Sequence, residues 1–252
     1  MRLLYSGEKE CGCSCQYCFA HCITDKSSFT KISTASISEK EAIIYPCCDC
    51  EFSDQDLFVD SIRNISKKLD KVYISMSTKK DIDDYLLNTI ASFNNELVSE
   101  KKGFIKIGIS LSNKKRIKEI EPNTASYEKR LEVARKITNY NIPLGLTIKP
   151  ILPFIDVDEY LEILDDYKHI TDKVLIGGLY VNTNSTFYKE YELSRYVIEK
   201  RKVEWLPDRP EWDYIKDLDK EQRIINHAIC NGIMVFESDV DLVRTIAEEI
   251  GE

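Results

Sequence analysis

Cys11-Gly-Cys-Ser-Cys15-Gln-Tyr17-Cys18-Phe-Ala-His-Cys22 places five cysteines within twelve residues of a 252-residue chain. Cys11, Cys15 and Cys18 are separated by three and then two residues, and Tyr17 directly precedes the third thiol. Three thiolates on one short loop can hold three corners of a cubic iron–sulfur cluster and leave the fourth iron open for chemistry. A second group, Cys47-Cys48-Asp49-Cys50, comes later, and only Cys230 stands apart. Cys15-x-x-Cys18 and Cys47-x-x-Cys50 together also make the ligand set of a four-thiolate zinc site, so a zinc-binding interaction protein is the alternative reading of the spacing.

The surroundings of the thiols bear on that choice. The first residues turn polar too soon for a signal peptide, and no apolar run approaches the roughly 20 residues of a spanning helix. A cytoplasmic protein with no membrane partner is expected, and nine cysteines in a reducing compartment argue for metal or redox chemistry rather than disulfides. The net charge of -8 gives no global attraction to nucleic acid, although Lys114, Lys115, Arg116 and Lys118 form a local basic run that can face a phosphate or simply meet solvent.

Apolar runs predict strands over 3–5, 42–45, 72–76, 104–109, 142–148 and 174–180. A loop is expected over 23–40. Helical spacing of apolar residues is read between the strands: Phe58, Ile62, Ile65 and Leu69 with Ser53 or Asp54 as cap, then 82–93, a helix marked by Tyr127, Leu131, Ala134 and Ile137, then 160–167 and 187–200. Strands alternating with helices imply a parallel sheet, and six units roll into a partial (β/α)6 TIM barrel. The barrel is expected over residues 1–200. Residues 201–252 read as a C-terminal α/β extension that closes the open edge or the lower end, with Trp205, Trp212 and Tyr214 as an aromatic cap and Ser238 starting a last helix. Both cysteine groups, Lys79 and Ser110 then come after strand ends, on the face where barrels place chemistry. A structural zinc would need no such surroundings.

Cys11-x-x-x-Cys15-x-Tyr17-Cys18-Phe19 resembles the signature of radical S-adenosylmethionine (SAM) enzymes. The run Ser75 to Asp83, the Ile109-Ser110 strand end, Glu121-Pro122, and Arg130-Leu131 through Pro150 are similar in order to the spore photoproduct lyase-like branch. The resemblance covers about residues 3–180 and implies a barrel of the radical SAM type. It further implies a [4Fe–4S] cluster on Cys11, Cys15 and Cys18 whose open iron is chelated by SAM, reductive cleavage of SAM to a 5′-deoxyadenosyl radical, and abstraction of hydrogen from a substrate by that radical. An external electron donor of flavodoxin or ferredoxin type goes with that chemistry. The substrate stays open between nucleic-acid-derived and small-molecule compounds.

By the same resemblance, Asp49 takes the place of the residue that binds the SAM amino group. Lys79 matches a lysine that contacts the SAM carboxylate, and Ser110 a serine near the ribose or methionine. Tyr17 lies beside the cofactor, and Cys47 or Cys48 falls near the thiol that returns a hydrogen atom to the product radical. The crowding of Cys47, Cys48 and Cys50 also allows a second iron–sulfur cluster, with Cys13 or Cys22 as a further ligand. Two departures stand against thymine-dimer repair. The lyase has tyrosines on both sides of its third cysteine, whereas Phe19 comes after Cys18 here. A further N-terminal region also precedes the barrel in the lyase, whereas the first strand is expected at about residue 3.

Overall fold

The computed structural model describes residues 1–22, 30–31, 40–55, 58–203, 206 and 209–251. The loop expected over 23–40 lies almost wholly outside them, as do Trp205 and the side chains of His21 and Cys22. In chain order the elements are β1 (Arg2–Ser6), β2 (Thr30–Lys31), β3 (Glu41–Tyr45), α1 (Phe58–Ser66), β4 (Lys71–Thr78), α2 (Asp84–Ser99), β5 (Gly103–Ser110), α3 (Ile117–Ile120), α4 (Tyr127–Asn139), β6 (Leu144–Ile148), α5 (Val157–Tyr167) and β7 (Lys173–Ile176). They continue as β8 (Leu179–Val181), α6 (Thr186–Glu190), β9 (Ile198–Lys202), β10 (Glu211–Ile215), α7 (Leu218–Cys230), β11 (Met234–Phe236) and α8 (Asp239–Ile250).

Eight strands form one sheet in the order β2-β1-β3-β4-β5-β6-β7-β11, and every pairing in it is parallel. The six expected strands are all present at its centre. Alternation along each strand divides the two faces. Val72, Ile74 and Met76 of β4 and Ile105, Ile107 and Ile109 of β5 point outward and pack with Phe58, Ile62, Leu87, Ile90, Ala134 and Ile137 of the surrounding helices. The inward positions carry a different set: Tyr73, Ser75, Phe104, Lys106 and Leu175. Helices α2 and α4 begin where a carboxylate or hydroxyl can cap them, with Asp83 accepting from the Leu86 amide and Ser126 from the Lys129 amide. Residues 56–57 before α1 lie outside the described residues; Glu51 caps the short 3-10 turn Phe52–Asp54 instead.

The strand expected over 174–180 is two strands. A Cβ on Gly178 would collide with the Ile215 carbonyl oxygen, so the chain passes too close to β10 for any side chain there. At that crossing β7 leaves the parallel sheet and β8 enters a separate antiparallel sheet, β8-β10-β9. The helix expected over 187–200 is likewise corrected: only α6 and a 3-10 turn at Leu193–Arg195 are helical, and the last residues, from Ile198, belong to β9. Pairing with β10 overrides the weak local helical signal, as tertiary context does for short segments. Trp212 and Tyr214 lie on β10, and the expected boundary at residue 200 falls inside β9.

The C-terminal segment does two things. β11 adds to the free edge of β7. α8 lies on the inner face of the sheet, where Leu242, Val243, Ile246 and Ala247 pack on Ile43, Phe104 and Leu175. Ser238 caps α8 by accepting from the Asp241 amide. The fully buried Lys106 holds the start of that helix through Asp239 at 2.5 Å, and Asp239 also accepts from Ser75 at 2.7 Å. No helix among the described residues is long and apolar enough to cross a membrane.

Candidate active site at the strand ends

The cysteine loop leaves β1 and docks on the segment after β5. The Gln16 amide donates to the Ile120 carbonyl at 3.0 Å, Gln16 Nε2 donates to the Glu119 carbonyl at 2.9 Å, and Asn123 Nδ2 donates to Ser14 Oγ at 3.2 Å. Ser14 sits in the left-handed region at φ 52°, and the loop closes locally where the Cys18 amide donates to the Cys15 carbonyl at 3.1 Å. Cys11 is exposed, Cys13 and Cys15 are buried and Cys18 is half-buried. Cys13 shares a hydrogen bond with Cys11, which lowers the Cys11 thiol to about 6 and drives Cys13 upward. Burial raises Cys15 to about 12, against the pull of Lys79. Among the described residues no three His, Cys, Asp or Glu side chains converge as a metal site. As free thiols, then, the three cysteines share a loop without being gathered on one point, and among those residues no second ligand set is gathered either.

The residues expected beside them are brought together in two groups. The first surrounds Glu121, which is fully buried. Tyr17 donates its hydroxyl to Glu121 Oε1, Ser112 Oγ donates to the same oxygen at 2.9 Å, and Lys79 Nζ stands 3.7 Å from it. Lys79 also donates to Ser110 Oγ and lies 5.7 Å above the Tyr17 ring. Burial works against the Glu121 charge, but Lys79 and Arg130 outweigh it and hold its pKa below the usual carboxylate value. Tyr17, Lys79 and Ser110, expected separately, therefore meet through a carboxylate with no role assigned from sequence. Glu121 and Arg130 were legible only as landmarks of the branch.

The second group lies in the loop after β3. Asp49 Oδ2 accepts from Ser6 Oγ at 3.0 Å, while Asp49 Oδ1 is buried and has no hydrogen-bond partner among the described residues. Glu51 is buried, accepts from the Lys79 amide at 2.9 Å, and has its pKa raised by burial. Cys47 and Cys50 share a hydrogen bond that, with burial, raises Cys47. Cys48 packs in an apolar cluster with Leu4, Val203, Leu206, Tyr180 and Trp212, and burial raises its thiol as well. The neutral S–H form of both thiols is thereby favoured.

Three members of the basic run are matched by carboxylates. Lys114 pairs with Asp166 at 2.8 Å, Lys115 with Glu162 at 3.3 Å, and Arg116 with Glu119 while covering Phe154 and Tyr191. His227 faces Asp165 at 3.2 Å, outside both groups. A cavity of about 440 Å³ opens beside Ile170, Lys173, Ile246 and Glu249. It lies at the N-terminal ends of the strands, opposite the cysteines.

The donor set fits the groups a radical SAM protein requires. Three thiols share one anchored loop at a strand end, a neighbouring loop holds a buried carboxylate oxygen without a donor, and a lysine and a serine lie together one strand further on. Fold and site together define a partial-barrel protein of the radical SAM type. The solved structure of spore photoproduct lyase complexed with dinucleoside spore photoproduct superposes with a TM-score of 0.60 at 14% identity, over 90% of this chain and 74% of that one. A lyase variant with bound AdoMet and the same dinucleoside gives 0.62 at 14%, over 93% and 75%. Streptococcus suis SuiB gives 0.53 at 9% identity, over 93% of this chain and 48% of its own. No curated protein matches the chain. The spore photoproduct lyase family matches residues 51–202, and the chain belongs to that family, which makes it a radical SAM enzyme. The match begins just after the second cysteine group, so both cysteine groups lie outside it.

Proposed function

We propose that Cys11, Cys15 and Cys18 hold a [4Fe–4S] cluster, that SAM binds beside it, and that the enzyme abstracts hydrogen from an organic substrate. The observation that carries this reading is the buried Asp49 Oδ1, which no donor among the described residues reaches. Leaving such an oxygen without a donor costs stability, so its position is better accounted for by a cation that docks there. When bound, the cluster and SAM supply one-electron reductive cleavage of a sulfonium and, through it, hydrogen abstraction from carbon.

The chain's own residues have separate parts in that chemistry. Asp49 accepts from the ammonium of SAM, held in place by Ser6. Lys79 donates to the carboxylate, with Ser110 beside it and Glu121 fixing the ammonium head from behind. Tyr17 is pinned by its hydroxyl to Glu121 and presents its ring to the same space. Cys48, neutral within its apolar cluster, keeps the S–H hydrogen that it can return to a product radical; Cys47 has the same capacity but is tied to Cys50. The exposure of Cys11 leaves one edge of the loop within reach of an external donor of flavodoxin or ferredoxin type. The lyase structures carry a dinucleoside photoproduct. A nucleic-acid-derived substrate is the class those relatives suggest, but Phe19 takes the place of the second tyrosine, so the same repair reaction is not assigned.

The test is anaerobic incubation with dithionite and SAM, then chromatography. 5′-Deoxyadenosine and methionine should form with the wild-type protein and be absent with Cys15→Ala. Wild-type protein that carries iron and sulfide yet forms neither product would reject the reading.

A further inference from the structure

Lys149 comes directly after β6, on the same end of the barrel as the thiols, and reaches the inner side of the sheet. Its stem crosses the backbone at Gly177, where an added Cβ would stand 2.8 Å from Lys149 Cε and 3.0 Å from Cδ. A side chain at position 177 would push the Lys149 stem off that path. The next residue, Gly178, donates its amide to the Tyr214 hydroxyl at 2.7 Å, and the Arg201 guanidinium lies 4.6 Å over the Tyr214 ring. Lys149, the two glycines, Tyr214 and Arg201 thus form one continuous wall. Lys149 remains open to solvent although protein surrounds it on most sides, as expected of a side chain within a concavity.

The charges around this wall do not balance. Asp239, Glu237 and Glu221 are the carboxylates that act on Lys149. Asp239 is taken by Lys106 at 2.5 Å, and Lys216 takes Glu221 at 3.2 Å and Glu237 at 3.7 Å. The side chains of Lys149 and Arg201 have no ion pair or hydrogen bond among the described residues, Arg201 being held by its backbone in β9. Burial lowers the Lys149 pKa, and repulsion from Arg201 lowers it further. Two neighbouring cations with no counter-ion among the described residues are stabilised by an anion between them. The adjoining surface explains what that anion belongs to. The Tyr180 ring lies 4.8 Å from that of Tyr214 and 5.7 Å from that of Trp212, and Tyr180, Trp212 and Cys48 all pack on the buried Val203 and Leu206.

We propose that Lys149 and Arg201 form an oxyanion subsite, for a phosphate or carboxylate of the substrate, which seats the rest of that substrate against Tyr180 and Trp212 beside Cys48. The subsite's purpose rests on the radical SAM reading, but its binding does not, because neither cation contacts the cysteine loop's hydrogen bonds. Inorganic phosphate and malonate are the probes, titrated calorimetrically at low ionic strength into the anaerobically purified full chain. One of them should bind wild type with a stoichiometry of about one, and Lys149→Met and Arg201→Gln should each weaken it about tenfold or more. Lys149→Arg should restore most of the affinity, and added salt should weaken it. Preference for phosphate assigns a phosphorylated substrate, and preference for malonate a carboxylated one. Arg201 lies on an exposed strand position, so its variant tests the pair even where a Lys149 variant melts early. Failure of wild type to bind either probe, or equal binding by the Arg201→Gln variant, overturns the subsite. Anion binding without SAM cleavage would leave the subsite standing and reject the radical reading, whereas SAM cleavage without anion binding would do the reverse.

Discussion

Arg130 Nη2 stands 2.6 Å from Glu121 Oε2, and both side chains are completely excluded from solvent. The contact is a charge pair rather than an aligned hydrogen bond on that oxygen. Arg130 also donates to the Ser110 carbonyl at 2.8 Å, to the Ala125 carbonyl at 3.0 Å and to the Thr124 hydroxyl. The guanidinium therefore ties the end of β5 to the start of α4, and Glu121 joins that tie to Tyr17 and Lys79. Removing one partner of such a pair strands the other, which costs about 3–5 kcal/mol. Glu121→Gln should lose stability of that order in urea denaturation, and a loss below about 1 kcal/mol would show that the pair is not a structural hub.

The same carboxylate sets a pH dependence. Its folded pKa lies below the ordinary value of 4.5 because Lys79 and Arg130 overcome burial. A depressed carboxylate contributes stability that is fully present above the unfolded pKa and lost as pH falls through the folded one. The stability gap between wild type and Glu121→Gln should thus narrow below about pH 4.5, measured by denaturation midpoints across the acid range. A gap that widens with acid would mean the folded carboxyl is raised instead.

Lys106 and Asp239 fasten α8 inside the barrel. Lys106→Met leaves Asp239 with Ser75 and no cation, so it should destabilise by about 3 kcal/mol, whereas Lys106→Met combined with Asp239→Leu should recover part of that loss. Thermal unfolding of the four proteins in the cycle measures it. Additive losses would show that the two residues are not coupled.

By the proposed reading, Asp49 and Lys79 hold the amino and carboxylate groups at the methionine end of one ligand. Asp49→Ala and Lys79→Ala should each weaken SAM binding by about tenfold to a hundredfold, the range of a lost charge-assisted hydrogen bond. Equilibrium binding to cluster-loaded protein measures this, and unchanged affinity in Asp49→Ala would remove that residue from the site. Ser110→Ala should do less, because Lys79 keeps its attraction to Glu121 at 3.7 Å.

The parallel sheet was legible because each strand is a buried apolar run between helices with a clear apolar stripe. The cysteine spacing was legible because a metal site needs its ligands close in sequence. The region after β7 was not legible. Nothing local marks the crossing at Gly178, and β9 reads Ile-Glu-Lys-Arg-Lys, with no alternation that distinguishes a strand lying on an exposed sheet. The joining of Tyr17, Lys79 and Ser110 through Glu121 was hidden for a related reason. A buried acid looks like a surface acid in sequence until its cations are seen around it. Lys149 and Arg201 lie 52 positions apart, and only the pairing of β10 with β8 and β9 shows them on one wall.

Cys11, Cys15 and Cys18, and no other thiols, should carry a redox-active cluster. Electron paramagnetic resonance of the anaerobically reduced protein, with and without SAM, is the decisive measurement. Wild type should show the signal of a reduced [4Fe–4S] centre that changes on adding SAM, with about four irons per chain. Cys11→Ala, Cys15→Ala and Cys18→Ala should each abolish the signal, and Cys13→Ala should retain it. A colourless, silent wild type with one tightly held zinc, lost on mutating Cys47 or Cys50 but not Cys11, would contradict the cluster assignment.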